Sequence, residues 1–400
     1  MSRPLPRRAF EALARRLRTS NLGYELGLIG FISLRSMLRM THYVLRVHPA
    51  YIPRLLLLVA TSVASSPLRL LERVRYGNRI RAVRLPAAPI FVIGHWRSGT
   101  THLHNLLNQD PALGCLSMYQ AMAPNCSLAA ERWLKPLLAA IVPSKRPMDN
   151  MVWPVDAPQE EEIPLAKLTP YSFYMRSLFP MESADLFRRF VLLDGAPRAV
   201  GREIAAKYLG ILQVATLHAG GRRLVLKNPV NTARIRLLLE LFPDAKFVHA
   251  VRCPYEVFAS TVHLHARILP LTTLQRVPLK PSSPIILSIY EDMMRRFLED
   301  RDRIPRGNLV EVRFEDLERD PVGELRRVYH TLSLPGFAQA EPAIQSYVDS
   351  QRSYQKNRLE LPAEDRRAVT ERWAFAFRAF SYESDADDAH EAPAAQPVQA

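Results

Sequence analysis

Two hydrophobic rhythms alternate along the chain. Apolar runs at Ile90 to Ile93 and Leu224 to Leu226, and predominantly apolar ones at Phe247 to Val251 and Leu309 to Phe314, look like buried strands. Between them lie stretches with helical spacing. In TARIRLLLELF, for instance, Ile235, Leu238, Leu239 and Phe242 recur at helical intervals before Pro243 closes the segment. Strands alternating with helices predict a three-layer, P-loop-like α/β domain around a central parallel sheet, with ligands at the carboxyl ends of the strands. Beyond Tyr382 the sequence ESDADDAHEAPAAQPVQA is acidic and has no large apolar residues, which predicts a disordered tail over 383–400.

The first strand leads into PIFVIGHWRSGTTHLHNLL, residues 89 to 107. Its apolar run breaks at Gly94 into a small polar loop and resumes with Leu103, Leu106 and Leu107 at helical spacing. Gly94 and Gly99 let the backbone approach an anion, and Ser98, Thr100 and Thr101 offer hydroxyls where the free N–H groups of a helix start point outward. The glycines stand at the interval of an ATP-binding P-loop, yet Thr100 occupies the position of that motif's lysine. A kinase or NTPase also needs a carboxylate for magnesium at the end of a neighbouring strand, whereas KFVHAVRCPYEVFAST ends its strand in Arg252. An arginine there suits an anion rather than a metal ion. A nucleotide kinase or NTPase remains the alternative enzyme class, and a non-catalytic, membrane-associated binding module the alternative outside enzymes.

Charge divides the chain. The net charge is +15, and residues 1 to 86 hold 16 Arg against Glu11, Glu25 and Glu72, so nearly all of the basicity lies in an N-terminal segment, 1–86, ahead of a main domain, 87–382. The longest apolar run of that segment, Leu55 to Ala64, is bounded by Arg54 and by Ser65, Ser66 and Pro67, too short for the roughly 20 residues of a spanning helix. Arg35, Arg39 and Arg46 interrupt the region where a cleavable signal would need its apolar core. Two readings of the segment stay open: helices packed on the main domain with Arg toward solvent, or a peripheral contact with an anionic membrane. No nucleic-acid-binding module accompanies the charge. Cys115, Cys126 and Cys253 lack C-x-x-C spacing, which points to a reducing cytoplasm rather than a disulfide scaffold. His102/His104 and His263/His265 are i, i+2 pairs that fall on different helix faces, so no metal site is predicted. The sequence leaves the oligomeric state open.

With these motifs in hand, residues 88 to 380 resemble the sulfotransferases that use 3'-phosphoadenosine 5'-phosphosulfate (PAPS), in particular a large bacterial branch. The resemblance rests on RSGTT at Arg97 to Thr101, on Arg252, Pro254 and Ser260, and on LVLKNPVNTARIRLLLELFPDAKFVHAVRCPYEVFAST and LVEVRFEDLERDP. It implies that Arg97, Ser98, Gly99, Thr100 and Thr101 grip the 5' phosphosulfate, that Arg252 and Ser260 bind the 3' phosphate, and that Lys356 and Arg358 of SYQKNRLEL lie near the nucleotide. The sequence departs from the family at His102, where a Trp is usual, at Cys253, which replaces an Asp, and at Asn231, where a His is common.

Sulfuryl transfer needs a cation for the charge that grows on the leaving oxygen and a base for the acceptor proton. Arg97 is the best placed cation, and Lys227, at the end of the strand RLVLKNP, is the second. DAPQEEEIPLAKL offers Glu160, Glu161 and Glu162 as bases. With a helix over 158–168 starting from Pro158, Glu161 shares the inward stripe of Leu165 and Leu168 and is the favoured base, while Glu160 shares a face with Lys167. His95 is the next candidate, with a buried, hydrogen-bonded role as its competing reading. The apolar, aromatic stretches TPYSFYMRSLF and MDNMVWP flank the acidic run and suggest a wide, lipid-like acceptor.

Overall fold

The computed structural model describes residues 29–40, 43, 45–143, 146, 153–277, 283–352 and 359–385. Five parallel strands form one sheet in the order β2-β3-β1-β4-β5. They are β1 (Ile90–Ile93), β2 (Leu113–Gly114), β3 (Arg223–Lys227), β4 (Lys246–Val251) and β5 (Leu309–Arg313). The four apolar runs are all strands, and β2 adds a two-residue edge too short to leave a pattern. Ile90 faces Val225 on one side and Lys246 on the other, so β1 runs through the middle of the sheet.

Alternation along the strands sorts the core into two layers. Ile90, Val92, Val225, Val248, Val310 and Val312 pack with Leu103, Leu106 and Leu107 on one face, while Phe91, Ile93, Leu224, Leu226 and Phe247 meet the larger helical layer on the other. The predicted three-layer α/β arrangement is therefore present, and its helices follow the strands they cover.

Eight helices matter for the site and its surroundings: α1 (Ile52–Ala64), α2 (Ser66–Ala82), α3 (Thr100–Leu107), α4 (Glu162–Leu168), α5 (Arg198–His218), α6 (Pro254–Thr272), α7 (Ser283–Asp300) and α8 (Ala363–Ala379). Two sequence expectations need correction. The apolar run at Leu55 does not stop at Pro67: Pro49–Ala82 is one helical stretch of 34 residues with a window of mean hydropathy 1.4, long and apolar enough to cross a membrane by length and composition. Pro67 sits in the first turn of α2, where a missing N–H costs nothing, so the stretch continues past it. The acidic run, in turn, is not the start of a helix at Pro158. Pro158 pairs with Ser117 in an isolated bridge, and α4 begins only at Glu162, with Pro164 in its first turn. Glu160 and Glu161 therefore precede the helix and do not obey helical phase. Residues 1–28 and 386–400 lie outside the described residues, and with them most of the predicted acidic tail.

Candidate active site

The loop between β1 and α3 is shaped by its glycines. Gly94 has φ +132° and Gly99 φ +92°, and a Cβ on Gly94 would lie 2.4 Å from the Ala250 carbonyl oxygen, one on Gly99 2.2 Å from Cδ2 of Phe314. Both positions combine a backbone that disfavours side chains with contacts that leave no room for one. Arg97 also adopts a positive φ of 73°, a strain that non-glycine residues hold mostly at functional loops.

That conformation directs Arg97 across the sheet edge. Its Nε donates to Ser260 Oγ at 2.8 Å, and its carbonyl accepts from Arg252 at 3.2 Å. Arg252 also pairs with Glu256 through Nε at 2.7 Å and lies over the Phe314 ring at 4.4 Å. Arg97, Arg252 and Ser260, singled out separately in the sequence, thus converge where β1, β4 and the start of α6 meet. Phe314, which follows β5 directly, floors both Gly99 and Arg252. Sequence reasoning passed over it as the last residue of an apolar run.

Ser98 is turned inward, its hydroxyl donating to the His95 carbonyl at 2.8 Å, and the hydroxyl residues of the loop and helix start that line the adjoining cavity are Thr100 and Thr101. His95 is buried, hydrogen-bonded to the Trp96 carbonyl at 2.8 Å, and burial pushes its pKa down to about 3. It packs between Trp96 and Tyr290, in the structural role that competed with base catalysis. Lys356 and Arg358 lie outside the described residues.

Next to the loop lies a mostly apolar cavity. Arg97, Thr100, Thr101 and Trp96 line its loop side, Glu160, Lys167 and Trp153 another wall, Tyr174 to Leu178 a third, and Leu264, His265, Ile268 and Leu269 of α6 a fourth. The aromatic stretch TPYSFYMRSLF therefore does form a wall, as does Trp153 of MDNMVWP. Cationic groups in these walls are strongly desolvated: burial lowers Lys167 to about 7 and Arg176 to about 10. Lys167 Nζ donates to the Met122 carbonyl at 3.0 Å, and Arg176 meets His265 Nε2 at 2.6 Å.

The three adjacent glutamates have three different surroundings. Glu160 lines the cavity, and its carboxylate accepts from Lys227 Nζ and from the Tyr174 hydroxyl. Tyr174 in turn accepts from Trp96 Nε1 at 2.8 Å. Glu161 is fully buried and turned into the core, where it accepts from the Lys227 backbone N–H at 3.0 Å and the Tyr208 hydroxyl at 3.2 Å. Burial raises its carboxyl to about 8. Glu162 accepts from Arg234 at 2.7 Å, Ser172 at 2.7 Å, the Phe173 N–H at 3.1 Å and Asn228 at 3.1 Å. Burial alone would raise the Glu162 carboxyl, but the Arg234 guanidinium and the other donors hold it below its ordinary value. The expectation that Glu161 faces the acceptor gives way: its inward direction leads into the core, and the carboxylate on the cavity is Glu160.

The segment after β3 supplies most of these partners. Lys227 reaches Glu160, Asn228 reaches Glu162 and Asn231 donates to Tyr208 at 2.9 Å, so Asn231 is a strut in the position where a histidine was considered. Burial lowers the Lys227 ammonium below its ordinary value even though Glu160 opposes that shift. Among the described residues, no group of three His, Cys, Asp or Glu could hold a metal ion.

The pattern that defines the sulfotransferase family matches residues 89–339. The chain belongs to the sulfotransferase family. It is also 34% identical over 322 residues to omega-hydroxy-beta-dihydromenaquinone-9 sulfotransferase Stf3 of Mycobacterium tuberculosis and of Mycobacterium bovis, covering 80% of this chain and 82% of that protein. Among solved structures, sulfotransferase STF9 from Mycobacterium avium superposes with a TM-score of 0.60 at 20% identity, covering 96% of this chain and 100% of that one. Sulfotransferase STF1 from Mycobacterium tuberculosis gives 0.56 at 19% identity, with 92% and 98% covered. These two share the fold.

Proposed function

We propose that this sulfotransferase moves a sulfuryl group from PAPS to a hydroxyl of a lipid-like acceptor held in the apolar cavity. One observation carries the reading: a single cavity joins the glycine-shaped loop, through Arg97, Thr100 and Thr101, to the Glu160 carboxylate and to apolar walls. The glycine cradle, two threonine hydroxyls and two arginines fit a donor with anionic groups at two places, and the mycobacterial relative's menaquinone-derived acceptor accords with apolar walls.

Each residue then has a task. Thr100 and Thr101, at the start of α3, bind the 5' end of the donor, and Arg252 with Ser260 binds its 3' phosphate. The donor supplies the SO3 group: its S–O bond to phosphate breaks, an S–O bond to the acceptor forms, and the electron pair leaves on the phosphate oxygen. Arg97 stabilises the negative charge that builds on that oxygen. Glu160 takes the acceptor's hydroxyl proton, with the Lys227 ammonium and the Tyr174 hydroxyl holding its carboxylate in place. The buried surroundings of the cavity make these electrostatic contacts stronger than they would be in water.

The test is titration with adenosine 3',5'-bisphosphate followed by incubation of the protein and sulfur-labelled PAPS with a membrane-lipid extract. The expected result is saturable binding and a labelled, lipid-soluble product. Absence of bisphosphate binding at low salt overturns the donor assignment, and label confined to water-soluble products overturns the acceptor class.

A further inference from the structure

The helical stretch Pro49–Ala82 has two unlike faces. One is fastened to the protein. Leu58, Ser62, Ser65 and Glu72 are buried, and Glu72 accepts the Leu128 and Ala129 N–H groups at 2.8 and 3.0 Å. Arg54 donates to the Thr273 carbonyl at 2.5 Å, and Arg69 to the Phe31 and Ile32 carbonyls at 2.8 and 2.9 Å. The other face carries Ile52, Leu56, Val59, Val63, Leu70 and Val74 at helical intervals, all exposed, with Leu56 and Leu70 at 62% and Val74 at 77%. A continuous apolar stripe of this kind on a protein surface marks an interaction site.

Charge identifies the occupant. Arg73, Arg75, Arg79 and Arg81 are exposed on α2, and the one carboxylate of residues 49–82, Glu72, is buried against the protein body. An apolar stripe bordered by arginines, with no exposed acid, matches the boundary of an anionic bilayer, where apolar side chains enter the acyl region and cations meet headgroup phosphates. The anchors also fix its place relative to the cavity. Arg69 holds the carbonyl of Ile32, and Arg54 holds the residue after α6. Ile32 and the α6 residues Leu264, Ile268 and Leu269 are themselves cavity walls.

We propose that the exposed stripe of α1 and α2 docks in the interface of an anionic bilayer, with the helices lying along the membrane beside the cavity. The stretch is long enough to span, but spanning would pull Arg54, Arg69 and Glu72 from their partners and carry charged side chains into hydrocarbon, which is unfavourable. Lying flat keeps every one of these bonds. The docking needs no assumption about the reaction. Its position beside the cavity gives the lipid-like acceptor reading a route from bilayer to site.

The experiment uses the full chain and vesicles of phosphatidylcholine with or without phosphatidylglycerol. The unsubstituted protein is expected to float with the anionic vesicles, to be released by high salt or alkaline carbonate, and to bind neutral vesicles at least tenfold less. A variant combining L56E, V63E, L70E and V74E is expected to lose flotation at least tenfold while keeping its melting temperature and its affinity for adenosine 3',5'-bisphosphate. A milder pair, L70S with V74S, gives an intermediate loss and covers the case in which the fourfold variant misfolds. Three outcomes overturn the proposal: no flotation of the parent, equal flotation of parent and variants, or resistance to carbonate, which would mean that the helix spans. A parent that sediments as a dimer, variants that sediment as monomers and vesicles that bind neither would assign the stripe to a second copy of the chain. Failure of all these proteins to bind the bisphosphate would count against the donor assignment, while the flotation result would still decide the docking.

Discussion

Replacing Glu160 with Gln tests which member of the acidic triplet removes the acceptor proton. The carboxylate sits on the cavity between Lys227 Nζ and the Tyr174 hydroxyl, and Gln fills the same volume but cannot take a proton. A positioned general base contributes about 10²–10⁴ in rate, or about 2.7–5.4 kcal/mol of barrier at 1.36 kcal/mol per tenfold. The structural cost is separate. The Lys227 and Glu160 side chains are 3% and 14% exposed, so Gln leaves a nearly buried ammonium without its counter-charge. Breaking a buried pair in this way costs about 3–5 kcal/mol if the lysine stays charged. Burial already lowers the Lys227 pKa, so release of its proton reduces that cost, and the melting temperature should fall modestly. The assay is the initial rate with labelled PAPS, alongside titration with adenosine 3',5'-bisphosphate and a thermal melt. Turnover should drop at least a hundredfold with bisphosphate affinity within a factor of three, and the residual rate should climb with pH as the acceptor ionises unaided. A Glu160→Gln enzyme that keeps its turnover, beside a Glu161→Gln enzyme that loses it, would refute the reasoning.

Three further expectations follow from the same geometry. Arg252→Ala should cost roughly one to two powers of ten in affinity for adenosine 3',5'-bisphosphate and little for adenosine 5'-phosphate, since a charge-assisted bond contributes about 1.5–3 kcal/mol; equal losses for the two nucleotides would show that Arg252 serves the loop and not the 3' phosphate. Gly99→Ala should abolish bisphosphate binding in calorimetry, because its Cβ would lie 2.2 Å from the Phe314 ring at φ +92°, and the further change Phe314→Ala should recover part of it. Glu161 holds its proton to about 8 when folded, against an ordinary 4.5, so the folded state binds more protons between those values and stability should fall as pH rises through that window. Glu161→Gln, neutral throughout, should flatten the decline, and denaturant midpoints at the two ends of the window check it.

Much of this protein was legible in the chain itself. The runs at Ile90, Leu224 and Phe247 became strands β1, β3 and β4, which are buried on both faces and need nothing beyond their own apolar residues to announce themselves, while the run at Leu309 became the edge strand β5, where buried Val310 and Val312 alternate with exposed Glu311. The loop was legible locally as well, since two glycines and a run of hydroxyl residues between a strand and a helix read directly from the chain, whereas the contacts of Ala250 and Phe314 that leave no room for a side chain on Gly94 and Gly99 came only with the tertiary structure. Arg252 could be placed beside that loop because strand ends of a parallel sheet share one edge, whereas Ser260 was named only by the family resemblance. The division of labour among Glu160, Glu161 and Glu162 was decided only by the tertiary structure. Their directions depend on the bridge at Pro158, on the delayed start of α4, and on Lys227, Tyr208 and Arg234, each more than 40 positions away. Three carboxylates adjacent in sequence thus fell into a cavity wall, a buried neutral site and an ion pair, according to which donor from elsewhere reached each one. The run at Pro49 is the same lesson in a helix. Sequence marked Pro67 as a stop, whereas contacts from Arg54, Arg69 and Glu72 to distant backbone held the stretch along the protein body and left its apolar stripe exposed.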